Sequence, residues 1–108
     1  FRVILDLGPA SKGHALILPK EHYKDICEAD MAVTGKILPL AAKIGSAMKK
    51  GLGASGFNVV QNNGTSAGHV HVIPRYEGGP VMVAWNPGKA ESEELEETAG
   101  ILKNALAE

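Results

Sequence analysis

Cysteine is nearly absent from this chain of 108 residues, which contains only Cys27. A single cysteine forms no disulfide within the chain, and it excludes a zinc site built from several cysteines. A lone free thiol is typical of a reducing compartment. We therefore expect a cytoplasmic protein.

An excess of charge of one sign and long apolar runs are also missing. Eleven Lys and Arg residues oppose 12 Asp and Glu residues, for a net charge of −1, so nothing predicts binding to nucleic acid or to a membrane surface. No apolar stretch reaches the roughly 18 residues of a membrane span, and the start of the chain has no signal-peptide pattern. Because Phe1–Leu5 already has the pattern of a strand, we expect a preceding segment to be missing.

The residues that are present predict a single α+β domain over 1–108. Two apolar, β-prone runs, 3–5 and 14–18, flank a loop rich in Gly, Pro and Ser, which is typical of a hairpin with a long connection. Strands are also predicted over 57–61 and 69–74. The order of strands and helices favours an antiparallel sheet with helices packed on one face.

Two helices complete this prediction. The first begins at Asp30, a good capping residue, and runs to about Lys50 with apolar positions three and four residues apart. Pro39 is expected to kink it or mark a boundary, and Gly51 and Gly53 are expected to end it. A final helix is expected to be capped by Ser92.

The histidines provide the chemical signal. His69 and His71 are two residues apart on a predicted strand, so their side chains share one face of the sheet. Two unpaired buried imidazoles would be costly, and an anionic ligand, a metal, or a nucleophile with its partner would explain them. Taken alone, however, the pair is more often an ordinary surface pair, and His14 is more often a residue that only satisfies hydrogen bonds.

Three blocks in order resemble the histidine triad family. The segment 6–22, DLGPASKGHALILPKEH, is similar to the first block of the family, and 57–64, FNVVQNNG, to the second. The segment 69–76, HVHVIPRY, is similar to the end of the triad motif, in which three histidines alternate with apolar residues. The resemblance spans nearly the whole chain and is greatest to the nucleoside phosphoramidase branch.

One departure from the family pattern lies between Gly68 and His69. About six residues of the family motif are absent there, including the first triad histidine and a Ser or Thr that contacts phosphate. Ala67 stands in the register of that histidine and cannot replace it. We expect the natural chain to carry these residues, so that the junction is not a true peptide bond.

The resemblance implies a five-stranded antiparallel sheet with one long and one C-terminal helix, usually in a homodimer. It implies hydrolysis or transfer at the α-phosphate of purine nucleoside phosphoramidates or aminoacyl adenylates, through a nucleotidyl-histidine intermediate. The ligand would be an AMP-like or GMP-like purine nucleotide. No cofactor and no metal are implied.

The resemblance also assigns roles to residues of this chain. His69 matches the middle histidine and would be the nucleophile, supported by His71, His14 and Asn62. Asp6 would bind the ribose hydroxyls and Leu7 would pack on the base, while Asn62, His69 and His71 also contact the nucleotide.

Three alternatives remain open at this point. A non-catalytic nucleotide-binding module would follow from a true deletion at Gly68–His69. A dinucleoside polyphosphate hydrolase would use the same residues on another substrate. A metal-binding protein would use His14, His69 and His71 as ligands.

Overall fold

A computed structural model of the chain describes residues 1–21, 23–64, 69–80 and 86–107. The Gly68–His69 junction and Ala67 lie outside the described residues, so the expectation of an incomplete segment there stays a prediction. Within the described ranges the elements are β1 (Arg2–Leu5), β2 (Ala15–Leu18), α1 (Met31–Thr34), α2 (Ile37–Leu52), β3 (Gly56–Gln61), β4 (Val70–Arg75) and α3 (Ser92–Leu106).

The strands form one antiparallel sheet in the order β1-β2-β4-β3. The predicted hairpin is confirmed, because β1 pairs with β2 from Arg2↔Leu18 to Leu5↔Ala15. β4 lies inside the sheet, with β2 on one side and β3 on the other. The described residues form four strands, one fewer than the five that the resemblance implied.

Strand alternation divides this sheet into an apolar face and a polar one. Val70 and Val72 are buried beneath α2, and each contributes about 1.5–3 kcal/mol when fully buried. His71 stands between them in the chain, so its side chain points to the opposite face. The apolar face and α2 supply the core cluster, which consists of Ala15, Ile17, Ile37, Ala41, Met48, Ala54, Val70 and Val72.

The predicted helix from Asp30 to Lys50 is two helices rather than one. Asp30 caps the short α1, its side chain accepting a hydrogen bond from the Ala32 N–H at 2.9 Å. The break falls at residues 35–36, not at Pro39. Pro39 lies in the first turn of α2, where its missing N–H would have had no partner within the helix.

The end of α2 corrects a second expectation. Gly51 lies within the helix, and Gly53 alone ends it, in the left-handed conformation with φ of 72°. Its N–H donates to the carbonyl of Met48. A glycine takes this φ without steric cost, which is why glycine is favoured just beyond a helix.

The final helix differs from expectation at its start and in its packing. Glu91 occupies the capping position, and Ser92 is the first helical residue. α3 has no buried residue, so its apolar side chains, including Leu95 and Leu102, remain exposed by 57% and 58%. Of the two predicted helices, only the first therefore covers the sheet in the described structure.

None of the helices that the structure describes combines the length and the hydropathy that a membrane span needs.

The packing of α2 on β3 depends on the absence of a side chain at Gly45. A Cβ placed there would overlap the ring of Phe57. We expect Gly45→Ala to lower the free energy of unfolding by roughly 1–3 kcal/mol, because overpacking outweighs the gain in helix propensity. Urea unfolding followed by circular dichroism measures this difference.

Gly51→Ala is the matched control on the same helix, since nothing lies within 4 Å of a Cβ at that position. It should stabilise the protein by up to about 1 kcal/mol, the propensity difference between Gly and Ala. Equal effects of both substitutions would contradict this account of the α2–β3 contact.

Candidate functional site

The candidate site lies on the sheet face opposite α2, where the loop 6–14 meets the middle of β4. Asp6 follows β1 and His14 precedes β2, and the Asp6 N–H donates to the His14 carbonyl at 2.9 Å. This bond continues the hairpin ladder by one step. On the other side of β2, Leu16 pairs with His71. The hairpin and β4 thus bring Asp6, His14 and His71 together.

His14 and His71 are joined directly by a hydrogen bond. His14 Nε2 and His71 Nδ1 lie 2.9 Å apart, and the ring centroids are 5.2 Å apart. His14 is buried, with 6% of its surface exposed, so its ring nitrogens depend on protein partners. The Ala10 N–H supplies one of them, donating to His14 Nδ1 at 3.0 Å.

These contacts fix the tautomers of a neutral pair. Because Nδ1 of His14 accepts from a backbone N–H, its proton must sit on Nε2, which donates to Nδ1 of His71. The proton of His71 then sits on Nε2. The chain of hydrogen bonds from Ala10 through His14 therefore presents a donor at the far side of the His71 ring.

The electrostatic environment keeps His71 in this neutral form. Burial lowers the pKa of His71 below its ordinary value, because desolvation penalises the imidazolium. The neighbouring His14 and, to a lesser extent, His69 act in the same direction, whereas Asp6 opposes them. His71 is thus available as a neutral hydrogen-bond donor down to a lower pH than a free histidine.

Asp6 lies next to this pair of histidines, but the pair does not occupy all the acceptor positions of its carboxylate. Its Oδ1 accepts a hydrogen bond from the Gly8 N–H at 2.8 Å, which fixes the carboxylate at the start of the loop. Its Oδ2 lies 3.7 Å from His14 Nε2, too far for a hydrogen bond. A carboxylate has about four acceptor positions, so Asp6 retains acceptors for a ligand.

His69 lies at the opposite end of the same face. It is half-buried immediately before β4. It lines a cavity of about 400 Å³ together with Phe1, Arg2, Leu18, Pro19 and Lys20. The nucleophile expected from the sequence therefore borders an open space that a substrate can enter.

Asn62 and Leu7 are exposed residues outside the Asp6–His14–His71 group, although Leu7 directly follows Asp6 in the chain. Asn62 is exposed just after β3, and continuing the Gln61↔Val70 pairing by one step places it alongside His69. Leu7 is fully exposed, at 102%. Its apolar side chain is free to pack on a ligand but packs on nothing in the described structure.

Sequence reasoning missed the residues that hold the loop 6–14 in place. Ser11 Oγ donates to the carbonyl of Pro74 at 2.6 Å, and the Tyr76 hydroxyl donates to the carbonyl of Lys12. Both contacts join the loop to the end of β4, more than 60 positions away in the chain. Only the position of Ser11 within a turn-like segment hinted at a structural role.

Asp6, His14 and His71 also form a set that can hold a metal ion. Each offers one ligand atom, and these atoms lie within 4.8 Å of one another. Two imidazoles and one carboxylate suit zinc. The metal ligands expected from the sequence were His14, His69 and His71. The described structure instead brings Asp6 together with His14 and His71.

Most of this chain matches a known protein family. The family model of the HIT domain matches residues 1–78. An uncharacterized HIT-like protein of Methanocaldococcus jannaschii is 36% identical over an alignment that covers 92% of this chain and 79% of the relative. That alignment has 105 positions, and 92% of 108 residues is about 99, so about six positions have no residue in this chain.

Two relatives carry named activities. The adenosine 5′-monophosphoramidase of Schizosaccharomyces pombe is 42% identical, over 66% of this chain and 55% of the relative. An adenylylsulfatase of Arabidopsis thaliana is 40% identical, over 68% of this chain and 41% of the relative. The chain therefore spans about half the length of these two proteins.

Solved structures share the fold. A HIT family protein from Bacillus anthracis superposes with a TM-score of 0.81 and 31% identity, covering 95% of this chain and 79% of the other. A histidine triad nucleotide-binding protein from Candida albicans gives a TM-score of 0.82 and 28% identity, covering 97% and 81%. By its matched domain, its relatives and its fold, this chain belongs to the HIT domain family of histidine triad proteins.

Proposed function

We propose that this protein is a nucleotide hydrolase or transferase that acts at the α-phosphate of purine nucleoside phosphoramidates or aminoacyl adenylates. The observation that carries the proposal is the order of groups on one sheet face. Asp6 and His14 lie at one end, His71, which is bonded to His14, lies in the middle, and His69 lies at the other end, beside a cavity.

The reaction proceeds in two displacements at phosphorus. A ring nitrogen of neutral His69 attacks the α-phosphorus, the bond from phosphorus to the leaving group breaks, and its electron pair departs with the leaving group. A leaving amine takes up a proton in this step. Water then attacks the nucleotidyl-histidine, the P–N bond breaks, and the nucleoside monophosphate and a proton are released.

His71 and His14 support this reaction in different ways. His71 presents its Nε2–H on the face that carries His69, where it can donate to a phosphate oxygen or to nearby backbone. His14 is a positioning residue, because it is buried and acts through its hydrogen bond to His71. Asn62 lies at the sheet end beside His69 and orients the site from there.

Asp6 and Leu7 form the nucleoside end of the site. The free acceptors of the Asp6 carboxylate suit the two hydroxyls of a ribose. The exposed Leu7 side chain next to it suits the flat face of a purine. The named relatives support an AMP-like ligand, since one acts on an adenosine monophosphoramidate and the other is an adenylylsulfatase.

The segment before His69 matters for turnover. We propose that the natural chain carries about six more residues between Gly68 and His69. The alignment with the Methanocaldococcus jannaschii relative is about six positions longer than the part of this chain that it covers, which supports a gap of this length. If the deletion is genuine, the phosphate loses the contacts of those residues. The protein is then a nucleotide-binding module without turnover, which is the second function that we retain.

We further propose a homodimer in the cytoplasm. Exposed apolar side chains on α2 and α3 support self-association, among them Leu38 at 67% and Ile101 at 61%. Pairing identical patches is the commonest way to cover such surfaces. Light scattering at micromolar concentration should show about twice the 11.3 kDa mass of one chain, and a purely monomeric species would contradict the dimer.

His69→Ala tests the assignment of the nucleophile. The variant should lose turnover of a fluorogenic adenosine phosphoramidate, because no nitrogen remains to form the covalent bond. Its affinity for AMP should stay within about tenfold of wild type, since the ribose and base contacts are intact. Wild-type rates in the variant would refute the assignment, whereas AMP binding without turnover in the unmodified chain would favour the binding module.

Asp6→Ala tests the ribose contact. We expect a loss of AMP affinity of roughly 1–3 kcal/mol, the worth of charge-assisted hydrogen bonds. Titration calorimetry with AMP and with 2′,3′-dideoxy-AMP makes the comparison. The variant should bind the dideoxy ligand as well as the wild type does, and an equal loss for both ligands would mean that Asp6 only supports the loop through Gly8.

A further inference from the structure

The strand register locates the cavity beside His69 on the polar face of the sheet. Arg2 pairs with Leu18, and continuing the Ile17↔Val70 pairing by one step places His69 on the other side of Leu18. Antiparallel partners share a sheet face, so Arg2, Leu18 and His69 stand in a row on the polar face. The cavity that these residues line together agrees with this register.

This row lies at the opposite end of the face from Asp6. Asp6 lies four positions after Arg2, which corresponds to about 13 Å at a strand rise of about 3.3 Å per residue. His14 is level with Asp6, and His71 lies between the two ends, level with Leu16. A nucleotide with its ribose at Asp6 and its α-phosphorus at His69 therefore directs its leaving group into the cavity.

The cavity is positively charged where the leaving group would lie. Of its described lining residues, Arg2 and Lys20 are cationic and none is a carboxylate. Both cations are exposed on the cavity rim and free to turn toward a ligand. An ammonium-bearing group gains nothing in such surroundings, whereas an anionic group gains attraction from both side chains.

A neighbouring cavity of about 480 Å³ shares Phe1 and Lys20 and does contain carboxylates. Two of its three carboxylates, those of Glu28 and Asp30, are already engaged, and the third is that of Glu21. Glu28 accepts from the Lys24 N–H at 3.3 Å, and Asp30 caps α1. His69 does not line this second cavity, so the second cavity does not border the reacting phosphorus.

We propose, resting on the proposed function, that Arg2 and Lys20 select adenylates whose leaving group is anionic and carries no ammonium, namely mixed anhydrides of AMP with sulfate or with a carboxylate that lacks an amino group. When His69 attacks such a substrate, the P–O bond breaks and its electron pair leaves with the oxygen. The sulfate or carboxylate departs without taking up a proton. The two cations stabilise the negative charge that develops on this oxygen, which a departing amine does not carry.

Two substrates with the same AMP moiety test this selection. We expect Arg2→Gln and Lys20→Gln each to lower kcat/KM for adenosine 5′-phosphosulfate by up to about fivefold, the upper limit for one exposed charge pair. The value for adenosine 5′-phosphoramidate should change much less, so the ratio of the two is the readout. This ratio should also fall as salt is raised, because exposed charges are screened.

Lys50→Gln is the matched control, since Lys50 is an exposed lysine on α2, on the other side of the sheet. It should leave both kcat/KM values unchanged. Equal losses for both substrates in Arg2→Gln and Lys20→Gln, or no loss in either, would overturn the proposal. If the wild type turns over neither adenosine 5′-phosphosulfate nor adenosine 5′-phosphoramidate, the proposed function has failed. A binding measurement then decides whether Arg2 and Lys20 form an anion site.

That measurement is a titration of the AMP-bound protein with inorganic sulfate, followed by the ring signals of His69 in NMR spectra. Sulfate should shift these signals in the wild type and in Lys50→Gln. The shift should be largely lost in the Arg2→Gln/Lys20→Gln double variant. Unshifted His69 signals in the wild type would contradict an anion site beside this residue.

Discussion

The antiparallel pairing of β4 with β2 and β3 is the constraint on which the whole site depends. Val70 and Val72 are buried under α2, and this burial fixes the register, because a slip of one residue would turn both valines to the polar face. The same register sends His71 to the face opposite α2 and sets it level with Leu16. Burial of two valines on one face of the sheet thus positions the histidine between them on the other face.

The long hairpin loop supplies the second half of this arrangement. Hydrogen bonds of Ser11 and Tyr76 join the loop to the end of β4. They fix the position of the loop relative to the strand that carries His71. His14 is buried at the end of this loop with its proton position determined by the Ala10 N–H. Both histidines make these hydrogen bonds without carrying a charge, which agrees with the lowered pKa of His71.

The sequence was sufficient for features that depend on local pattern. The hairpin, the strands around residues 57–61 and 69–74, and the shared face of His69 and His71 follow from alternation and turn residues. The helix break at residues 35–36 was not predictable from Pro39, because a proline is tolerated in the first turn of a helix. The proximity of Asp6 to His14 and the row of Arg2, Leu18 and His69 depend on strand register, which local patterns do not specify.

The central claim is that a nitrogen of His69, rather than of His14 or His71, bonds to the α-phosphorus. Rapid alkaline quenching during turnover of an adenosine phosphoramidate, followed by peptide mass mapping, tests this most directly. The account predicts an adenylyl group on His69. An adenylyl group on His71 or His14, or steady turnover with no modified histidine at any time point, would contradict it.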